Sequence, residues 1–421
     1  CYIDIMQSIK INFFKFPEMI KKYVKYLPKI LNPVLFFLYL FVYFFPRDKK
    51  NWVFGSGVGM NFSDNAKYLF LYCSSLSEIN SCWITRNKTL VESLRAEGLN
   101  AHYKYSAKGL WLSISSKVYV YDSRTESINH WASAGALKVN LWHGSPLKTI
   151  DRDITVKHNA FYIGNHTWGP KRYLVRMMMP EWFVVADLMI ATSDKVKGYF
   201  NSAFGSKQIK VTGYPRNDII TNPSLYVKNL GFEQQIIDSI LTDKTILYAP
   251  TFRDTNRFDR ETPFEWGRLN DLLKENDTTF LIKLHRHDYS MVIKEEYSHI
   301  RVLDNESDMY PLFSKVNLLI TDYSSIFFDF LLTDKPVLFY PYDKDDYLTM
   351  DRSMYDEYDT VTPGHKAYDF NEFYEKLELF FKQASALKES NLDYQVIKKM
   401  YNKYCDSNGS KRTYQFIVSN L

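Results

Sequence analysis

Residues 320–341 read Ile-Thr-Asp-Tyr-Ser-Ser-Ile-Phe-Phe-Asp-Phe-Leu-Leu-Thr-Asp-Lys-Pro-Val-Leu-Phe-Tyr-Pro. The apolar run Val316–Ile320 predicts a buried strand, which Thr321-Asp322-Tyr323 interrupts. Ser324 or Ser325 is placed to N-cap a helix over Ile326–Leu332. Lys335-Pro336 then stops the helix, and Val337–Tyr340 predicts the next strand. A strand, polar turn and helix in succession form half of a parallel α/β crossover. The same geometry turns backbone N–H groups and two hydroxyls toward a common point, a natural seat for an anion. Taken alone, an ordinary capped crossover explains the segment equally well.

The pattern repeats on both sides. Asn51–Gly55, Cys82–Thr85, Lys117–Tyr121, Val139–Trp142, Leu188–Thr192 and Ile209–Thr212 predict strands alternating with helices at Asn65–Cys73 and Thr89–Glu97. A second series follows at Lys244–Tyr248, Phe280–Leu284 and Ile300–Leu303. Strands alternating with helices predict open parallel sheets, whose ligands collect at the carboxyl ends of the strands. At 421 residues the chain exceeds one ordinary core, so two such units are expected. Gly213-Tyr214-Pro215-Arg216-Asn217-Asp218 has the turn chemistry of a hinge between them.

Three strand ends of the second unit carry the chemistry: Thr251 and Arg253, then Lys283 with His285 and His287, then Asp322, Ser324 and Ser325. Arg253 and Lys283 suit phosphate oxygens, and a histidine there can neutralise charge on a transferring phosphoryl group. In the first unit, Trp142-His143-Gly144-Ser145-Pro146-Leu147-Lys148 follows a strand directly. His143 there suits proton abstraction near a phosphate, with Gly144, Ser145 and Lys148 on the acceptor side. His285 and His287 lack the Cys or carboxylate companions of a metal site, so no metal is expected. Gly55-Ser56-Gly57-Val58-Gly59 lacks the full dinucleotide spacing and reads as a tight strand-to-helix turn.

Composition narrows the classes further. Fifty-three basic against 48 acidic residues leave a modest net charge of +5 that says little by itself, and no nucleic-acid partner is expected. Four scattered cysteines fit a reduced compartment, and a start at Cys rather than Met fits a fragment or a processed chain. Residues 11–29 interleave Phe13, Phe14, Phe16, Tyr23 and Leu27 with six lysines from Lys10 to Lys29, as on a basic amphipathic helix. Val34–Phe45 is apolar throughout but, at twelve residues, falls short of the about 20 that a bilayer span needs. An interfacial anchor is the reading, with buried covering helices as the alternative. Gly169–Trp182 sets Lys171, Arg172 and Arg176 around Met177-Met178-Met179, either a second such surface or core packing by methionine.

Four motifs together resemble the CDP-glycerol glycerophosphotransferase family, the teichoic acid and capsule-polymer polyol-phosphate transferases. They are Trp142–Lys148, Gly213–Asp218, Tyr248–Asp254 and Ile320–Ser325, in order along residues 50–380. The resemblance implies two Rossmann-like domains in a glycosyltransferase-B-like arrangement. The expected division is a membrane-associating helical segment at 1–50, an acceptor-side domain at 51–218, a CDP-donor domain at 219–385 and a helical segment at 386–421 packing across both. It implies transfer of glycerol phosphate or ribitol phosphate from CDP-glycerol or CDP-ribitol to a polymer or lipid-linked hydroxyl, with release of CMP and no required cofactor. Peripheral attachment to the cytoplasmic face of a bacterial membrane is also implied. Position by position, His143 matches the first catalytic histidine and His285 the second. Arg253, Ser324 and Ser325 fall on donor-phosphate positions, with Asp322 on the same loop. Thr362-Pro363-Gly364-His365 departs from the family, with His where a second Pro is frequent, and this leaves the polyol open. A nucleotide-sugar glycosyltransferase of the same fold and a non-catalytic polymer- or lipid-binding scaffold are the alternatives.

Overall fold

The computed structural model describes residues 32–157, 159–226, 239, 244–251, 263–284, 296–303, 308–344, 347, 353–388 and 393–421. Two all-parallel sheets organise it. The first is built from β1 (Asp48–Gly55), β2 (Asn80–Thr85), β3 (Ala101–Tyr103), β4 (Ser116–Tyr121), β5 (Leu137–Asn140), β6 (Leu188–Ala191) and β7 (Gln208–Val211), in the order 3-2-1-4-5-6-7. The second is built from β8 (Lys244–Tyr248), β9 (Thr278–Ile282), β10 (Ile300–Val302), β11 (Leu318–Thr321), β12 (Val337–Phe339) and β13 (His365–Lys366), in the order 10-9-8-11-12-13.

Each order reverses once, between β1 and β4 in the first sheet and between β8 and β11 in the second. Reversal leaves a crevice beyond the strand ends, because the flanking connections leave on opposite faces there. The second crevice lies where Tyr248–Thr251 and Ile320–Ser325 converge, with Ile320 paired to Tyr248 in register. Strands β6, β9, β11 and β12 are buried at every position and so on both faces, as helix-covered parallel strands are.

The expected strands are present within one to three residues of their read boundaries. β3 and β13 were missed: at three and two residues, these edge strands are too short to show a period. One boundary moves for a reason that matters below. β5 ends at Asn140, and Trp142 takes a left-handed conformation with φ 53°. The opening stretch also differs from a simple cap. Its helix spans Ile326–Phe330 and tightens into a 3-10 turn at Leu331–Thr333. Ser325 is helical in φ and ψ and makes no side-chain cap bond, while Ser324 Oγ lies 3.5 Å from the Ile326 N–H.

A continuous apolar core joins the lobes, running from Met189, Phe200 and Ile219 to Leu319, Phe327, Phe328 and Tyr401. The C-terminal helix Gly409–Val418 returns to the first lobe, where Phe416 and Ile417 join Trp52, Phe54 and Trp83. Asp218 fixes its start by accepting the Gly409 and Ser410 N–H groups at 2.7 and 2.8 Å. Residues 1–31 lie outside the described set, so the amphipathic reading of 11–29 has no structural counterpart here. The helix Asn32–Tyr43 is described, and it leaves Phe36, Phe37, Leu40 and Phe41 exposed. No helix among the described residues is long and apolar enough to cross a membrane. The helix Pro170–Met178 buries none of its residues, and Met177 is exposed, so methionine core packing does not account for that segment.

Candidate active site

The loop after β5 and the loop after β11 meet across the cleft. A Cβ placed on Gly144 would lie 3.2 Å from Ser325 Oγ and 3.5 Å from Arg216 Nη2. The absence of a side chain at Gly144 is what lets the two lobes approach so closely. Beyond it, Thr149 N–H donates to Ser353 O at 2.8 Å and Tyr355 N–H to Leu147 O at 3.0 Å. Lys148 sits in this inter-lobe pairing, with Nζ 4.5 Å from the centre of the Tyr347 ring. Tyr347 in turn stacks on Tyr323 of the β11 loop at 3.9 Å.

His143 is presented by a strained turn. Trp142 N–H donates to Asn140 Oδ1 and Asn65 Nδ2 donates to Trp142 O, each at 2.9 Å. These bonds hold the left-handed Trp142, a conformation costing on the order of 1 kcal/mol for a residue of this size. The indole stacks on the His143 ring at 4.2 Å and is itself braced by Phe204. The imidazole is exposed to the cleft but lies deep between the lobes. Burial pushes its pKa down to about 4, with Asp64 opposing and Arg216 and Arg124 adding to the fall. Any fall from the ordinary histidine value leaves the ring neutral at pH 7, able to accept a proton.

On the other wall, Asp322 is fully buried and its carboxylate bonds the backbone of both loops. Oδ1 accepts the Thr251 N–H at 2.8 Å and its neighbour Tyr323 N–H at 2.5 Å, while its carbonyl accepts Tyr358 O–H at 3.0 Å. Asp322 thus ties the β8 and β11 loops together at the switch point. Ser324 and Ser325 are half-buried on the adjoining turn. Lys283 is buried at the end of β9. Ser145, read as acceptor-facing, is buried with its hydroxyl 2.9 Å from Thr192 Oγ1. The structure therefore gathers His143, Gly144, Lys148, Ser324 and Ser325 at the cleft, with Thr251 and Asp322 supporting one wall. Arg253, His285 and His287 lie outside the described residues.

Sequence reasoning missed the residue that joins the walls. Arg216 was read only as part of a hinge, yet its side chain is 2% exposed. Nη1 donates to Asp64 Oδ1 at 2.7 Å and to His143 O at 2.8 Å, both in the first lobe. Nη2 donates to Asp329 Oδ2 at 2.5 Å, on the helix that follows Ser325. Asp329 also receives Asn217 Nδ2 at 3.2 Å and Tyr310 O–H at 3.4 Å. Burial pushes the Asp329 carboxyl up, and the guanidinium opposes that push. The signal was present: an Asp inside Ile-Phe-Phe-Asp-Phe-Leu-Leu is a buried charge, and a buried charge needs a partner. A second buried tie, Lys67 to Asp308 at 3.2 Å, joins the lobes beside it.

A family profile described as CDP-Glycerol:Poly(glycerophosphate) glycerophosphotransferase matches residues 37–419. The teichoic acid poly(glycerol phosphate) polymerase of Bacillus spizizenii is 27% identical over 383 residues, covering 84% of this chain and 93% of that protein. The teichoic acid glycerol-phosphate primase of Bacillus subtilis is 32% identical over 320 residues, covering 74% and 75% respectively. Among solved structures, the wall teichoic acid polymerase TagF superposes with a TM-score of 0.72 at 22% identity, over 95% of this chain and 98% of that one. That structural likeness speaks for the fold.

Proposed function

The chain belongs to the CDP-glycerol:poly(glycerophosphate) glycerophosphotransferase family, and from that membership we infer that it transfers a polyol phosphate from a CDP-polyol to a hydroxyl acceptor. The observation that carries this reading to a site is the contact of the His143–Gly144 turn with Ser325 across the cleft. A donor diphosphate seated at the β8/β11 crevice, against Ser324 and Ser325, brings its polyol-bearing phosphorus toward His143. The neutral imidazole takes the acceptor's hydroxyl proton as that oxygen attacks in line and CMP leaves. Arg253, His285 and Lys283 are proposed on the donor side, where cationic groups stabilise the equatorial oxygens. Glycerol phosphate is the polyol expected, with ribitol phosphate as the competing donor.

We propose that the acceptor is met at a membrane surface. Phe36, Phe37, Leu40 and Phe41 on the helix Asn32–Tyr43 are exposed, as are Trp168, Tyr173, Leu174 and Met177 around the helix Pro170–Met178. The two helices touch: Asn32 Nδ2 donates to the carbonyls of Met177 and Met178, both at 3.1 Å. Aromatic side chains with Lys171 and Arg172 beside them suit the interface of an anionic bilayer. Incubation with CDP-glycerol, CDP-ribitol and UDP-sugars, reading the released nucleotide by mass, tests the reaction. CMP from a CDP-polyol is the expected product, and UDP release alone would replace this reading with sugar transfer.

A further inference from the structure

We propose that Asp64 is a positioning residue for His143 and supplies the counter-charge when that imidazole takes up the acceptor's proton. The proposal rests on His143 being the base. Its grounds are geometric. Asp64 opens the helix Asp64–Ser74 with φ 63°, a left-handed conformation that a helix N-terminus does not require. A carboxylate merely favouring the helix end would need neither that strain nor a second partner.

Asp64 and Asn65 instead act, through Arg216 and directly, on the two peptides that flank His143. Asn65 Nδ2 holds the Trp142 carbonyl at 2.9 Å, and Asn65 Oδ1 accepts the Arg216 backbone N–H at 3.2 Å. Arg216 Nη1 divides its bonds between the Asp64 carboxylate and the His143 carbonyl. Both carbonyls bracketing His143 are therefore fixed by a cluster in which Asp64 is the anion nearest the cleft, 20% exposed where Asp329 is 1%.

The surrounding charges can be followed outward. Asp64 is the anion that acts most strongly on His143, and Arg216 and Arg124 oppose it. Arg216 is faced by Asp329, Tyr310 and Tyr214 as well as Asp64. Asp122, at the end of β4, receives the Gly57 N–H at 3.4 Å, and burial and Asp64 push its pKa up to about 8. Of these carboxylates, Asp64 is the one whose charge acts on the His143 ring, and it is placed to offset a forming imidazolium. In the reaction the acceptor oxygen–phosphorus bond forms, the phosphorus–oxygen bond to CMP breaks, and the proton passes to His143. Asp64 itself takes no proton.

Asp64→Asn keeps the shape and tolerates a left-handed backbone, and Asp64→Gly keeps that backbone with no side chain. In the full chain, with CDP-glycerol and polymer acceptor, each should lower kcat by about ten- to a hundredfold. CDP-glycerol affinity, measured by calorimetry, should match wild type and certifies the fold. Placed on His143→Ala, either substitution should cost nothing further, because its effect runs through the missing ring. A kcat within about twofold of wild type in the variant that binds donor normally, or losses that multiply on His143→Ala, would overturn the proposal. Full turnover by His143→Ala alone would instead overturn the base assignment beneath it.

Discussion

Replacing Arg216 with Met removes the cation that both lobes share while keeping a side chain of similar reach. Asp329, 1% exposed, would lose a 2.5 Å ion pair and keep only Asn217 and the long Tyr310 contact. A carboxylate so placed escapes the full penalty of an unpaired buried charge by taking a proton. That sets a ceiling. Protonating at pH 7 a group whose unfolded pKa is about 3.9 costs about 4 kcal/mol, and about 1.4 kcal/mol less for each unit the pH falls. The sign is that of an acid whose folded pKa is raised: stability is present below the unfolded pKa and lost as pH rises through the folded one. Urea denaturation followed by tryptophan fluorescence should place Arg216→Met below wild type by up to about 4 kcal/mol at pH 7 and by up to about 2 kcal/mol at pH 5.5. Arg216→Met/Asp329→Asn should recover more than half of the pH 7 loss, since an amide needs no proton. A deficit independent of pH, or a double variant as unstable as the single, would refute the reasoning.

Other perturbations read the cleft itself. Gly144→Ala pushes a methyl to 3.2 Å from Ser325 Oγ; a rotatable hydroxyl yields for about 1 kcal/mol, but it leaves the donor wall. The KM for CDP-glycerol should rise several-fold with little change in kcat, and an unchanged KM would remove Ser325 from that wall. Because burial lowers the His143 pKa to about 4, kcat/KM should stay level from pH 8 down and fall only well below 6.5 as the ring protonates. Half-loss at the ordinary histidine value would contradict that. Phe37→Asp with Phe41→Asp, at positions 71% and 72% exposed, should leave the melting temperature unchanged. At about 1.5 kcal/mol per ring withdrawn from lipid, binding to phosphatidylglycerol vesicles should drop about a hundredfold, and unchanged binding would remove the helix from the membrane surface.

Much of the architecture was legible because parallel strands buried on both faces are written as short apolar runs with abrupt polar ends. Leu318–Thr321 and Val337–Phe339 are of this kind, and their polar ends mark the cleft. What was not legible depends on pairing at long range. Arg216 and Asp329 are 113 residues apart, and nothing local says that a turn read as a hinge will bury a guanidinium against that acid. Asp322 was placed on the right loop, but residue type alone could not show that its carboxylate also ties the Thr251 and Tyr323 N–H groups. Ser145 shows the same limit, since its hydroxyl turns inward to Thr192. The strain at Trp142 was invisible because it arises from Asn65, 77 residues away.

The central claim is that His143 and the Ser324–Ser325 turn are opposite walls of one transfer site with separable tasks. Donor affinity and CMP release, measured side by side in His143→Ala and in Ser324→Ala/Ser325→Ala, test it most directly. The account predicts that His143→Ala binds CDP-glycerol like wild type while releasing CMP about a hundredfold or more slowly. It predicts that the double serine variant loses about tenfold in donor affinity. Wild-type CMP release by His143→Ala, or wild-type donor affinity in the serine variant, would contradict it.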